Sequence, residues 1–362
     1  MERAPIRVLE LAGSPRQRGQ DHGEAYTDEI CAYAEHRLDL VCGGRWSHGP
    51  LDRDRALAIG EACVPAHERY SRALTEEMYG LAEATGLSLS ELIVVGGFTD
   101  FVDVVWATDG HLGVDEDDCT AALVPAGSAA DGGYLVQTWD MHDTAAEHVV
   151  LFDLRPDDGP AALIYSTTGC LGQIGMNEAG ICVGINNLQA ADGRIGVTWP
   201  HVVREVLAQA SIDDALQRLL DAPLAGGHNF LLLDAEGAGY NVEALPTARH
   251  VVPLGDAVLA HTNHALGLDT LAACREKLPE LQTSSEERLQ TAVTELTVGP
   301  FDVDALMAFT RHPTLCYAAR PPIQMETCGA VVMRPATLDL WACWGLPSAN
   351  DYELFSLARR PS

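Results

Sequence analysis

Asp118-Cys119-Thr120-Ala121-Ala122-Leu123-Val124-Pro125, followed across a glycine turn (Asp131-Gly132-Gly133) by Tyr134-Leu135-Val136-Gln137-Thr138-Trp139-Asp140, is the stretch that decides the fold. It reads as a β-hairpin that a cysteine opens and whose return strand ends on a carboxylate. Upstream lies an acidic run, Val114-Asp115-Glu116-Asp117-Asp118, with no strand character. A cysteine at the start of a strand is well placed to become a chain terminus if the bond before it is cut. It then carries both a thiol nucleophile and a free α-amine, whose pKa of roughly 7.7–8.0 suits a base near neutral pH. The hairpin therefore predicts amide cleavage or acyl transfer, together with a maturation step.

Working outward, the 362 residues suit one large domain or two ordinary ones, at about 100–200 residues each. Hydrophobic residues at 47% and charged residues at 21% describe a globular chain with a sizeable core. No apolar run approaches the roughly 18 residues of a membrane span. The opening Met1-Glu2-Arg3-Ala4-Pro5-Ile6-Arg7 lacks a long apolar segment, so a cytoplasmic location is expected. A net charge of −29 argues against nucleic acid and against an anionic membrane surface. It also favours neutral or cationic substrates unless a local arginine reverses the field. Of the ten cysteines none forms a C-x-x-C pair, so neither zinc nor thioredoxin-like chemistry is expected, and no cofactor is called for. Most sit in apolar surroundings, as in Ile181-Cys182-Val183, and read as reduced core residues.

Residues 1–110 read as mostly helical, with apolar spacing of three and four over 24–40 and 52–84 and a capping signature at Ser88-Leu89-Ser90-Glu91. From Cys119 the character changes to strand-like runs at 121–125, 134–139, 148–154, 161–167, 181–188, 229–234 and 239–244. Helical segments are expected near 199–222, 267–298 and 302–311, and two strands, 330–333 and 338–344, near the end. An α+β fold follows, with two sheets packed together and helices outside. The one compositional boundary, near residue 115, separates a helical N-terminal segment (1–118) from a core (119–362).

With these pieces in order, the chain resembles the acyl-coenzyme A:6-aminopenicillanic acid acyltransferase family of self-processing cysteine Ntn hydrolases (peptidase family C45), and more distantly the choloylglycine hydrolases. The resemblance is carried by Gly13-Ser14…Arg18-Gly19…His22-Gly23, by Asp118-Cys119-Thr120, by Gln137-Thr138-Trp139-Asp140 and by Asn177-Glu178-Ala179-Gly180…Gly184-Ile185-Asn186-Asn187. Later signatures are Asn229 to Asp234, His261-Thr262-Asn263-His264, Thr327-Cys328-Gly329 and Gly345-Leu346-Pro347. It implies a four-layer αββα sandwich and cleavage of the Asp118–Cys119 bond, giving an α/β heterodimer. The family usually carries glycine before the nucleophile, so Asp118 is a departure.

The resemblance assigns catalytic roles to Cys119 as nucleophile, to Asp140 near its amine, to Asn263 as oxyanion donor and to Asn186 as a second donor. Asn187 beside Asn186 leaves the register open, and Asn177 is expected to shape a hairpin turn. A strand-end Asp is also a common turn former, and an Asn after a strand a common loop anchor. His261 and His264 lack a third ligand and are expected to be structural rather than metal ligands. Where the family has a site arginine this chain has Tyr317, with Arg311 and Arg320 as the nearby substitutes for substrate binding. The function expected is cleavage or transfer of the acyl group of an N-acylated small molecule or short peptide, with an acyl-CoA among the conceivable donors. The alternative is an unprocessed, non-catalytic binding protein of the same fold. A papain-type protease fails, because the nucleophile opens a strand rather than a helix.

Overall fold

A computed structural model describes residues 5–44, 49–109, 118–319 and 324–358. The chain begins with β1 (Val8–Gly13) and six helices: α1 (Pro15–Ala25), α2 (Thr27–Cys42), α3 (Arg53–Tyr70), α4 (Arg72–Thr85), α5 (Leu89–Gly96) and α6 (Phe98–Asp109). The helical reading over 52–84 is broken at Ser71, which leaves helical geometry (φ −148°) and caps α4 by accepting from Leu74 N. Ser88 and Glu91 form the expected capping box on α5. The strand β1 escaped the sequence reading because it is short, half-exposed and held by parallel pairing to a distant strand rather than by its own pattern.

The strands that follow are β2 (Cys119–Val124), β3 (Tyr134–His142), β4 (Val149–Pro156), β5 (Ala162–Thr167), β6 (Ile174–Asn177) and β7 (Cys182–Leu188). Helices α7 (Trp199–Leu207) and α8 (Ile212–Leu220) precede β8 (Gly227–Leu233), β9 (Gly239–Ala244), β10 (Arg249–Pro253) and β11 (Leu259–His261). Then come α9 (Leu268–Ala273), α10 (Pro279–Glu295), α11 (Val303–Thr310), β12 (Met325–Arg334), β13 (Asp339–Trp344) and β14 (Tyr352–Ser356). Two expected helices, 199–222 and 267–298, are therefore each split in two.

One sheet has eight strands in the order β1-β4-β5-β6-β7-β8-β9-β10; the other has six, β11-β2-β3-β12-β13-β14. Both faces of β2 are buried, which is why it reads as an unbroken apolar run. Ala121 and Leu123 face the other sheet and share its core with Leu135, Leu231 and Leu233, and Gly184 of β7 faces Leu135 across the gap between the sheets. Ala122 and Val124 face outward, against Ala292 and Leu296 of α10 and its flank and Leu306 and Phe309 of α11. On the far side, Val202, Val206, Ala215 and Leu219 of α7 and α8 cover the eight-stranded sheet. The order helix, sheet, sheet, helix is the expected αββα sandwich.

The two sheets also share a polar stitch. Gln137 of β3 accepts from Ile185 N (2.9 Å) and donates to the Ile185 carbonyl, behaving as an extra strand residue beside β7. Gly184 makes room for it, since a Cβ there would lie 2.7 Å from Gln137 Oε1.

The N-terminal segment is not a separate body. Besides β1, it enters the core through buried Glu77 of α4, which accepts from Arg18 Nε at 3.0 Å and from Arg204 Nη1 and Nη2 at 2.6 and 2.9 Å. Asp103 of α6 accepts from Ala190 N (3.1 Å) and Gly227 N (3.0 Å), and Asp100 from Trp199 N (2.7 Å). Among the described residues no single helix is long and apolar enough to cross a membrane.

Candidate active site

Cys119 is the first residue of β2 and lies opposite Trp139 in the β2–β3 pairing. That register sets Asp140 beside the bond preceding Cys119: the Asp118 carbonyl accepts from the Asp140 N–H at 3.0 Å. A carbonyl so held is polarised, and the same N–H would meet the oxyanion formed if a nucleophile attacked that carbon. The site therefore uses Asp140 through its backbone as well as placing its buried carboxylate nearby.

The Cys119 N–H donates to Asn263 Oδ1 at 2.6 Å. Asn263 arrives there because β11 runs antiparallel to β2, with His261 opposite Ala121, so the chain leaving β11 passes the beginning of β2. Its orientation is fixed by two donors on Oδ1, Cys119 N and Arg288 Nη2 (3.1 Å), while Nδ2 donates to the Asn187 carbonyl at 3.2 Å. In the intact chain Asn263 is thus an acceptor for the nitrogen that cleavage would turn into an amine. The second hydrogen on Nδ2 is what it has to offer a substrate oxygen.

Asn186 of β7 donates through Nδ2 to the Cys119 carbonyl at 3.2 Å, and Asn229 of β8, directly opposite, donates to Asn186 Oδ1 at 3.2 Å. Asn187 reaches the cluster through its main-chain carbonyl, which accepts from Asn263 Nδ2, whereas Asn186 reaches it through its side chain. Asn177 lies apart, accepting from Ile181 N and donating to the Leu207 and Gln209 carbonyls as a turn anchor.

The sequence reading missed Arg288. This fully buried side chain of α10 donates to the Cys119 carbonyl (2.7 Å), Thr120 Oγ1 (3.2 Å) and Asp118 Oδ1 (2.6 Å). Burial opposes its charge, yet the Asp118 carboxylate, with Tyr317 and Asp140 near it, raises its pKa above the ordinary value. The signal was present: Ser285, Arg288 and Ala292 are the buried stripe of an otherwise solvated helix, and an arginine on such a stripe needs a buried partner. The motifs point instead to Arg311 and Arg320, near the family's arginine position.

Tyr317, at that position, donates its hydroxyl to Asp118 Oδ2 at 3.2 Å, and Ser284 Oγ donates to the same oxygen at 3.2 Å. Burial, with Asp140 and Asp118 nearby, pushes the Tyr317 hydroxyl well above its usual pKa, so it stays a donor. Arg311 instead donates to the Pro347 carbonyl (2.9 Å) and lies over Tyr352, and so does not join the cluster around Cys119. Arg320 and the acidic residues 114–117 lie outside the described residues.

His261 and His264 are braces. Both His261 ring nitrogens face acceptors, the Thr262 carbonyl (2.7 Å) and Glu243 Oε1 (2.9 Å), and His264 Nδ1 lies 2.8 Å from Ser285 Oγ. Glu243 also accepts from Leu266 N (2.6 Å), Gly267 N (3.1 Å) and Thr270 Oγ1. Its burial works against ionisation, but these donors, His261 first, lower its pKa from 4.5 to about 2. A depressed carboxylate stabilises the fold above its unfolded pKa and loses that contribution as pH falls through the folded one. We therefore expect Glu243→Gln to be destabilised at pH 7, with the gap to wild type closing between about pH 4.5 and pH 2 in denaturant titrations. A gap that ignores pH would sever the link between this brace and its charge.

Burial pushes Cys182 and Cys328 well above the usual value and Cys274 and Cys343 up to about 12, so these stay protonated.

Comparison with known proteins adds sequence kinship to this geometry. The sequence model of the family described as acyl-coenzyme A:6-aminopenicillanic acid acyl-transferase matches residues 128–299, a span that holds Asp140, Asn186, Asn263 and Arg288 and begins just after Cys119. The acyl-coenzyme A:6-aminopenicillanic-acid-acyltransferase 40 kDa form of Emericella nidulans is 23% identical over 261 residues, covering 70% of this chain and 68% of its own. Two solved structures align loosely at 10% identity and a TM-score of 0.43, each covering 67% of this chain. They are a conjugated bile acid hydrolase variant from Clostridium perfringens, covered over 93% of its length, and a penicillin V acylase from Agrobacterium tumefaciens, covered over 86%. The resemblance read from the motifs is thus met again by that family's sequence model over residues 128–299 and by a relative of the same name.

Proposed function

We propose that this enzyme is a self-processing cysteine amidohydrolase or acyltransferase that works through an acyl-enzyme on Cys119. The observation that carries the reading is the hydrogen bonding on either side of one peptide bond: the Asp118 carbonyl on the Asp140 N–H and the Cys119 N–H on Asn263 Oδ1. In maturation the Cys119 thiol attacks the Asp118 carbonyl carbon. The C–N bond breaks, the thiol proton passes to the departing Cys119 nitrogen, and water hydrolyses the thioester to free the thiol. In turnover the same sulfur attacks the acyl carbon of an amide, with the new α-amine moving the proton. Asn263 and Asn186 orient the terminus and the groups around it. The acyl group then leaves to water or to a second amine. A relative named as an acyltransferase supports the second outcome.

The test is alkylation of the purified protein followed by peptide mapping. We expect stoichiometric labelling of Cys119 to abolish amide cleavage, while the strongly protonated thiols label slowly. Full activity with Cys119 labelled would remove it as the nucleophile.

A further inference from the structure

The residue just before the nucleophile is the first acyl group the site ever handles. We propose that Asp118 marks the acyl specificity of the mature enzyme: Arg288, Tyr317 and Ser284 form a carboxylate seat that selects acyl groups with a carboxylate two methylene-type carbons from the reacting carbonyl, as in succinyl or α-aspartyl amides. The inference deepens the proposed function and rests on Cys119 being the acylated nucleophile.

The argument begins from the covalent state. When Cys119 attacks the Asp118 carbonyl, the product is a thioester of Cys119 with Asp118 as its acyl group. Turnover of an external amide makes a thioester on the same sulfur. At that stage maturation and catalysis share one arrangement, and whatever holds the Asp118 side chain is available to hold the side chain of a substrate's acyl group.

What holds it is built for an anion. Asp118 Oδ1 receives Arg288 Nη2 at 2.6 Å, and Oδ2 receives the Tyr317 and Ser284 hydroxyls at 3.2 Å each. Asp118 itself is 2% exposed and the Arg288 side chain is fully buried, so water does not compete for this charge. The guanidinium is anchored independently by the Cys119 carbonyl, Thr120 Oγ1 and Asn263 Oδ1, all of which belong to the chain that begins at Cys119. Tyr317 is fixed as well, by exchanging main-chain contacts with Thr327: its N–H donates to Thr327 Oγ1 at 3.2 Å and its carbonyl accepts from Thr327 N at 2.9 Å. Once the bond before Cys119 is hydrolysed, nothing covalent keeps Asp118 on the seat, whereas every donor remains. A neutral acyl group entering that space would leave the buried guanidinium without the carboxylate that hydrogen-bonds to it, which disfavours it. The seat thus sets a local preference opposite to that suggested by the net charge of −29.

The test uses the mature protein and two thioesters of thiophenol, succinyl and butyryl, with acylation of Cys119 followed by intact mass. The two acyl groups have the same length and differ in the terminal carboxylate. We expect succinyl to acylate on the order of 10–100-fold faster at limiting concentration, as charge-assisted hydrogen bonds would give. Tyr317→Phe, which keeps the ring, should reduce that ratio by about threefold to tenfold. Equal or faster acylation by butyryl overturns the seat while leaving the nucleophile standing, as does a Tyr317→Phe ratio equal to wild type. Acylation by neither thioester overturns the Cys119 reading and this inference with it.

Discussion

Cys119→Ala is expected to yield one uncut chain and no amidase activity, where the wild type is expected to separate on a denaturing gel into residues 1–118 and 119–362. In the proposed mechanism one atom serves both steps. Without Sγ there is nothing to accept the Asp118 acyl group, and the Asp140 N–H then polarises a carbonyl that no nucleophile attacks. Loss of the nucleophile in turnover removes a factor on the order of 10⁴ or more, since its partners act only through it. Cys119→Ser retains a nucleophile, but a weaker one near neutral pH, so slow processing with most activity lost is expected. Intact mass and N-terminal sequencing decide the matter. A break inside Asp115–Asp117, or a Cys119→Ala chain that still yields a fragment starting at residue 119, would refute the assignment. An uncut wild type that binds but does not cleave amides would favour the non-catalytic alternative.

Asp118→Ala, placed in the uncut Cys119→Ala chain, is expected to cost about 3–5 kcal/mol of stability. Asp118 is the ion-pair partner of Arg288, at 2.6 Å, and the Arg288 side chain has no exposed surface. After the substitution Arg288 still meets the Cys119 carbonyl, Thr120 Oγ1 and Asn263 Oδ1, which satisfy hydrogens but supply no opposite charge. Removing both partners is a milder change than removing one, so adding Arg288→Met should recover a large part of the loss. Denaturant unfolding of the three chains measures the cycle. A single Asp118→Ala loss below about 1 kcal/mol, or no recovery in the double variant, would mean that the pair does not bear on stability.

Much of the sandwich was legible because its strands declare themselves. The runs 121–125, 134–139 and 181–188 lie between turn residues, and the structure forms strands over most of each, Cys119–Val124, Tyr134–His142 and Cys182–Leu188. What stayed hidden depends on partners far along the chain. The strand β1 exists because β4 lies beside it, and β10 because β9 does. The helix breaks at Ser71 and Ser211 hinge on capping by residues that a periodicity reading passes over. In the site, Cys119, Asp140, Asn186 and Asn263 could be picked out by motif, and the structure gathers the other three around the main chain at Cys119. Arg288 could not, because its role comes from where α10 lies against β2 and not from any local pattern. Tyr317 was singled out for the arginine it lacks, and its contact with Asp118 gives it a positive role that a substitution pattern alone does not reveal.

The way the first 118 residues are woven into the rest has a consequence for the life of the protein after cleavage. An edge strand, a buried carboxylate between arginines from both sides of the break, and main-chain bonds to Asp100 and Asp103 all cross the proposed cut. The intact chain folds as a unimolecular process in which both parts are always present at high effective concentration. The cut chain, once unfolded, would have to find its other half by diffusion, without a stable fold in either half to wait in. Cleavage would therefore make folding a one-time event: the mature protein would survive by the slowness of its unfolding rather than by reversible equilibrium, and its midpoint temperature would depend on concentration and scan rate where that of the uncut variant would not.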